Sequence, residues 1–251
     1  MPAPTTLELL WGTPDRSRRG PKPSLTLERI VAEAIDLADA EGGLANLSMA
    51  RLAERLGCAK MALYRYIPGK TELIALMLDT ALGMPPENTT APSDSDPEPW
   101  RTYLRPWTET FFTRAVAHPW GNEASTGVRP MGPNELAWLD SAVGVLDGTG
   151  LTAAECLDTV VLLLGHARGI AQQTATAGED LEGGLARELG EVLSAQAQRF
   201  PHAAAAFAET MSGTAAETGR DNALVFGIDR ILDGLAVLIE TRRSRHERTQ
   251  R

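Results

Sequence analysis

Apolar residues recur every three or four positions along most of this chain, and nowhere do they alternate with a period of two. That spacing limits the fold more than any other feature. Leu27, Ile30, Val31, Ala34, Ile35 and Ala38 fall on one stripe of a helix, because 3.6 residues per turn bring i, i+3, i+4 and i+7 to one face. Thr26 stands where a cap is needed, and Gly42-Gly43 where the helix must stop. Ser48 caps a second helix, Met49–Leu56, which ends at Gly57. A third is expected from Lys60 to Tyr66, before Pro68-Gly69, and a fourth from Thr71 to Leu82, before Gly83. The expected fold class is all-α.

Residues 84–99 are rich in proline and acid, a composition that builds no packed core. They read as a linker or exposed loop at a domain boundary. Helices are again expected over Trp100–Ala117 and Asn134–Asp147. Another opens at the capping box Thr152-x-x-Glu155 and runs to about Thr174. Gly178–Gly184 reads as a loop, Leu185–Arg199 as a helix, His202–Met211 as an Ala-rich turn, Ser212–Gly219 as a second loop and Asp221–Glu240 as the last helix. The expected organisation is therefore a flexible basic arm (1–23), a helix-turn-helix domain (24–84) and a larger helical domain (85–251).

Charge follows this division. The 251 residues carry 24 Lys and Arg against 33 Asp and Glu, a net charge of −9. Residues 1–82 hold 10 basic and 10 acidic side chains, so the whole deficit lies beyond them. All three lysines, Lys22, Lys60 and Lys70, fall in the first third. Such asymmetry points to a nucleic-acid-facing end. Two cysteines, Cys58 and Cys156, make no disulfide framework or zinc site by themselves. With no signal peptide and no apolar run near the ~18 residues of a membrane span, a cytoplasmic location and no membrane partner are expected.

Ser48–Ile67 is a helix-turn-helix candidate. The outer face of its second helix carries Lys60, Met61, Ala62, Tyr64, Arg65 and Tyr66. On spacing alone, a major-groove reader and an ordinary bundle with a solvated face both fit. Residues 52–74 add a resemblance. Gly57, Leu63, Tyr64, Lys70 and Leu73 stand where the DNA-binding signature of TetR-family transcriptional regulators has its Gly, Leu-Tyr and Lys-x-x-Leu, with Cys58 and Ile67 in place of the usual Val and Phe. The resemblance implies that the third helix enters the major groove of an operator. Ser48, Tyr64 and Lys70 would then hold phosphates, and Lys60, Met61 and Ala62 would face bases. For Arg16, Arg18, Arg19 and Lys22 two readings stand, an arm entering the minor groove and a solvated tail.

The second region resembles the tetracycline-repressor-like C-terminal domain of such regulators, through His118-Pro119-Trp120, Gly132-Pro133-Asn134 and residues 226–235. The family implies a homodimer joined by two helices from each subunit, here those near 152–174 and 221–240. Gly165, Gly169, Phe226, Ile231 and Leu235 are the expected interface residues. It also implies a pocket for a small, mainly apolar inducer, expected near Trp107, Phe111, Trp138 and His166, although each of these also suits a plain core. The metal–tetracycline site of the best-known member does not carry over, and no metal or cofactor is expected. The four histidines lack metal-ligand spacing, and no nucleophile elbow, phosphate loop or dinucleotide fingerprint occurs. The expectation is a DNA-binding repressor and no enzyme; a helical partner-binding protein and an all-α enzyme are the alternatives.

Overall fold

The computed structural model describes residues 4–12, 25–88, 97–176, 179–212 and 221–249. Among these, every regular element is a helix. The first, α1 (Thr6–Trp11), lies inside the stretch expected to be a flexible arm. It starts with a reciprocal cap: the Thr5 hydroxyl accepts from the Glu8 amide, and the Glu8 carboxylate accepts from the Thr5 amide. It is ordered because Leu10 is buried in the core of the N-terminal domain. Arg16, Arg18, Arg19 and Lys22 lie outside the described residues.

The N-terminal domain comprises α2 (Leu27–Ala40), α3 (Met49–Arg55), α4 (Lys60–Leu63) and α5 (Lys70–Leu82). Thr26 and Ser48 cap α2 and α3 as their positions suggest. Ile30, Leu37, Leu52, Leu63, Ile67, Leu73 and Met77 form one buried core. Gly57 turns the chain between α3 and α4 with φ +66°, a left-handed conformation that glycine adopts freely. The helix expected over 60–66 is α-helical only to Leu63. The Tyr66 amide then bonds to the Leu63 carbonyl at 2.9 Å, the tighter i to i+3 pattern. Pro68 accounts for the early end, since in a continued helix its ring would clash with the carbonyl four residues earlier, that of Tyr64. α5 starts one residue earlier than expected, at Lys70.

The second domain contains α6 (Pro99–Ala117), α7 (Trp120–Ala124), α8 (Pro133–Leu146), α9 (Ala153–Thr176), α10 (Glu179–Ala195), α11 (Pro201–Ser212) and α12 (Asp221–Thr249). Its core is formed by α6, α8, α9 and α12, with Leu104, Trp107, Leu163, Ile228 and Leu232 fully buried. The Thr152–Glu155 capping box is present, and Arg242 pairs with Glu155 at 2.5 Å. Arg101–Asp233 and Arg105–Asp229 also tie α12 to α6. The loop expected over 178–184 is corrected from Glu179 onward: α10 begins there and packs along α11. That contact outweighs the roughly 1 kcal/mol per glycine that Gly183 and Gly184 cost a helix. The Ala-rich 202–211 segment is likewise helical, as alanine favours.

Candidate functional site

α4 and the turn after it present Lys60, Met61, Tyr64 and Arg65 to solvent, with Met61 at 72% exposure. Leu63 points the other way, into the core, and so fixes which face is offered. The Lys60 ammonium sits 5.9 Å from the centre of the Tyr64 ring. Ala62 is half-buried on the same short helix. Ser48 accepts the Arg51 amide at 3.3 Å and keeps its own O–H as a donor. Lys70 donates to the Leu44 carbonyl at 2.6 Å, leaving two ammonium hydrogens for a phosphate. Tyr66, also expected on the outer face, is not exposed with the others. It is half-buried and its hydroxyl donates to the Leu25 carbonyl at 2.9 Å, so it anchors the chain where the arm joins α2.

A cavity of about 490 Å³ lies where α5, α6, α7, α8 and α9 converge. Leu78, Ala81 and Leu82 of α5 form one wall; Phe111, Arg114 and Arg168 contribute to others. Of the four residues expected around an inducer, only Phe111 lines it. Trp107 is fully buried, its ring 5.0 Å from that of Trp138 and its indole N–H donating to Ser141 at 3.1 Å. Trp138 donates to the Gly83 carbonyl at 2.8 Å, closing the end of α5 against α8. His166 bonds through Nε2 to the Leu224 carbonyl at 3.0 Å, at the crossing of α9 and α12. These three are packing residues; apolarity alone did not separate wall from core.

Polar contacts join the cavity walls to the N-terminal domain. Asp79 of α5 accepts the amides of Asn134 and Glu135 at 2.9 and 3.0 Å, capping α8. Burial pushes its carboxyl above the ordinary range, against the pull of these two bonds. Asp39 of α2 accepts from the Trp120 indole at 2.6 Å and lies 2.9 Å from His118 Nδ1. Arg114 donates to the carbonyls of Leu82 and of Met84. Trp11 of α1 donates to the Met131 carbonyl at 3.0 Å, just before α8. Sequence reasoning missed Asp79, Arg114 and these tethers, because each pairs residues 30 or more positions apart. Arg168 was visible only as a cation on an apolar helix.

The family model for bacterial regulatory proteins of the tetR family matches residues 30–77, and that for the tetracyclin repressor-like C-terminal domain matches residues 91–239. The chain belongs to the TetR family. It is a DNA-binding transcriptional regulator of the repressor type, and not an enzyme. It is 38% identical over 248 residues to the HTH-type transcriptional repressor DrrR1 of Streptomyces coeruleorubidus, spanning 95% of this chain and 87% of that one. An HTH-type transcriptional regulator of Saccharopolyspora erythraea is 29% identical over 199 residues, spanning 79% of this chain and 81% of the relative. Among solved structures, the TetR-family protein ActR of Streptomyces coelicolor in complex with actinorhodin superposes with a TM-score of 0.70 at 25% identity, covering 86% of this chain and 98% of ActR.

This TetR-family chain leaves one apolar face uncovered. Leu157, Val161 and Leu162 of α9 and Phe226 and Val237 of α12 are 46–69% exposed. Gly165 and Gly169 lie on the exposed side of α9, where an added Cβ would meet nothing within 4 Å. Of the other residues expected at an interface, Leu235 is buried in the core of this domain and Ile231 packs half-buried against that core. No described helix is long and apolar enough to cross a membrane, and no described cluster of His, Cys, Asp and Glu could hold a metal ion.

Proposed function

We propose that this regulator binds a near-palindromic operator as a homodimer in the cytoplasm and lets it go when a small, mainly apolar ligand fills the 490 Å³ cavity. The observation that carries the reading is the shared wall. Leu78, Ala81 and Leu82 line the cavity, while Leu73 and Met77 of the same helix fill the core beneath α4. A ligand that displaces α5 therefore moves the reading head. The complex of ActR with actinorhodin, at similar fold, supports a small-molecule effector. The exposed stripe of α9 and α12 supports the dimer, because an apolar surface of that width seeks a partner. A two-fold dimer sets its two α4 helices about one DNA turn, roughly 34–36 Å, or a multiple apart.

On the operator, Lys60 donates to guanine O6 or N7, while Met61 and Ala62 make apolar contacts such as that to a thymine methyl. Ser48, Tyr64 and Lys70 hold phosphates, with Arg65 exposed beside them and Arg16, Arg18, Arg19 and Lys22 available to the adjacent minor groove. A ligand releases DNA only through tighter binding to the arrangement that does not fit the operator. Couplings of about 1–3 kcal/mol, or about 5–150-fold, are typical. Genome-wide footprinting supplies the operator, and a thermal-shift screen of apolar polycyclic compounds followed by operator release supplies the ligand. A Trp at Ala175, on the cavity wall, should abolish stabilisation by every hit. Hits that still bind this variant, or that bind without ever releasing DNA, refute the reading.

A further inference from the structure

We propose that the effector is a planar apolar molecule bearing an anionic oxygen, a carboxylate or an ionised phenol or enol, and that Arg168 receives it. The proposal rests on the cavity being the effector site. α9 brings Arg168 into the cavity wall, half-buried, with its guanidinium 5.4 Å from the centre of the Phe111 ring. Beside that ring contact, its guanidinium donates no hydrogen bond to a described residue and forms no ion pair with one. A guanidinium has five N–H donors. These donors sit half-buried on a mainly apolar cavity wall, where an anion that displaces water supplies a charge-assisted acceptor.

The neighbouring charges are already answered. Arg129 holds both oxygens of Glu135, at 2.5 and 2.7 Å. Arg114 is engaged with the Leu82 and Met84 carbonyls and lies 5.1 Å from the centre of the Trp138 ring. His118 faces Asp39. The remaining acid of the wall, Glu123, is exposed. Burial and the positive charge of Arg129 pull the Arg168 guanidinium below its ordinary pKa, and Glu135 opposes this more weakly. An anion placed against Arg168 reverses both effects. Leu78, Ala115 and Ala171 supply apolar wall for the rest of the molecule, and the Phe111 ring for a flat face.

The test uses the full-length protein and two probes of nearly equal shape, anthracene-2-carboxylate and anthracene-2-carboxamide, titrated by calorimetry at neutral pH. The carboxylate should bind the wild type about tenfold or more tightly than the amide, as charge-assisted bidentate bonds require. Arg168→Gln should erase that preference, Arg168→Lys should keep part of it, and unliganded Arg168→Gln should melt no lower than wild type. Equal binding of acid and amide to the wild type overturns the anion assignment while leaving the cavity reading intact. A lower melting temperature for Arg168→Gln, with the preference for the carboxylate retained in that same variant, makes the guanidinium a packing group and also overturns it. Saturation by neither probe, or equal saturation of a variant with Trp at Ala175, overturns the cavity reading itself.

Discussion

Asp79→Ala should separate the reading head from the ligand domain. Asp79 is 6% exposed, and its Oδ1 takes both the Asn134 amide at 2.9 Å and the Glu135 amide at 3.0 Å; Asn134 Nδ2 returns a bond to the Asp79 carbonyl at 2.9 Å. The approach is close enough that a Cβ on Gly132 would lie 2.2 Å from that oxygen. Alanine leaves two amides at the start of α8 without an acceptor. At roughly 1–3 kcal/mol for a buried donor, and less for one that water partly reaches, the pair costs about 2–4 kcal/mol. For a chain of this size each kcal/mol is about 2–4 °C, so the melting temperature should fall by roughly 4–16 °C. Ligand-induced loss of operator affinity should shrink by about 0.5–2 kcal/mol, measured by fluorescence anisotropy with and without effector.

Asp79→Asn separates charge from bonding. It keeps an acceptor oxygen and removes a charge that burial disfavours, so at neutral pH it should stay close to wild type. Because burial raises the folded pKa, the protonated carboxyl is the form the fold favours. The stability this contributes is full below the ordinary carboxylate range and is lost as pH rises through the raised value. Wild type should therefore gain on Asp79→Asn as pH falls from neutrality toward the carboxylate range, in paired urea titrations. An alanine variant melting within about 2 °C of wild type, or an asparagine variant falling as far as alanine, refutes the reasoning.

Lys60→Ala should relax sequence preference at a cost of roughly 1–3 kcal/mol on operator DNA. Lys70→Ala should weaken operator and random DNA alike, lower the salt slope by about 1 per site lost, and lose about 1 kcal/mol of fold stability with the Leu44 bond; binding isotherms at several salt concentrations on both DNAs distinguish them. Trp107→Ala should destabilise the whole protein by about 3–5 kcal/mol, whereas Phe111→Ala should spare unliganded operator binding and weaken the effector; thermal melts beside operator titrations decide. Val161→Asp, at a position 67% exposed in the subunit, should leave each subunit folded but give monomers in sedimentation at micromolar concentration, with operator affinity lost in parallel.

Much of this protein was legible before any coordinates. The helix-turn-helix was, because its determinants are local: the Ser48 cap, the Gly57 turn, the inward Leu63 and the outward Lys60 and Met61 lie within 16 residues of one another. The same holds for the Thr26 cap and the Thr152–Glu155 box, since a cap satisfies amides two or three residues away. Where local signals were weak, the forecast failed. α10 forms across Gly183 and Gly184 because it has α11 to lie against, and α1 forms because Leu10 finds a core supplied by residues far along the chain.

The division runs deeper at the cavity. Composition and 3.6-residue periodicity determined that this chain is helical, that its first part holds a helix-turn-helix domain carrying two of its three lysines, and that apolar stripes run along α9 and α12. Only the tertiary structure decided which aromatic residue is wall and which is core, that Tyr66 turns inward while Tyr64 stays out, and that Leu235 is buried while Phe226 is left exposed. The physical reason is one of range. Backbone periodicity and capping act over a single turn of helix. The burial of a side chain, the partner of Asp79 and the unanswered charge of Arg168 are set by helices that meet after 30 to 100 intervening residues, through packing angles no local pattern encodes.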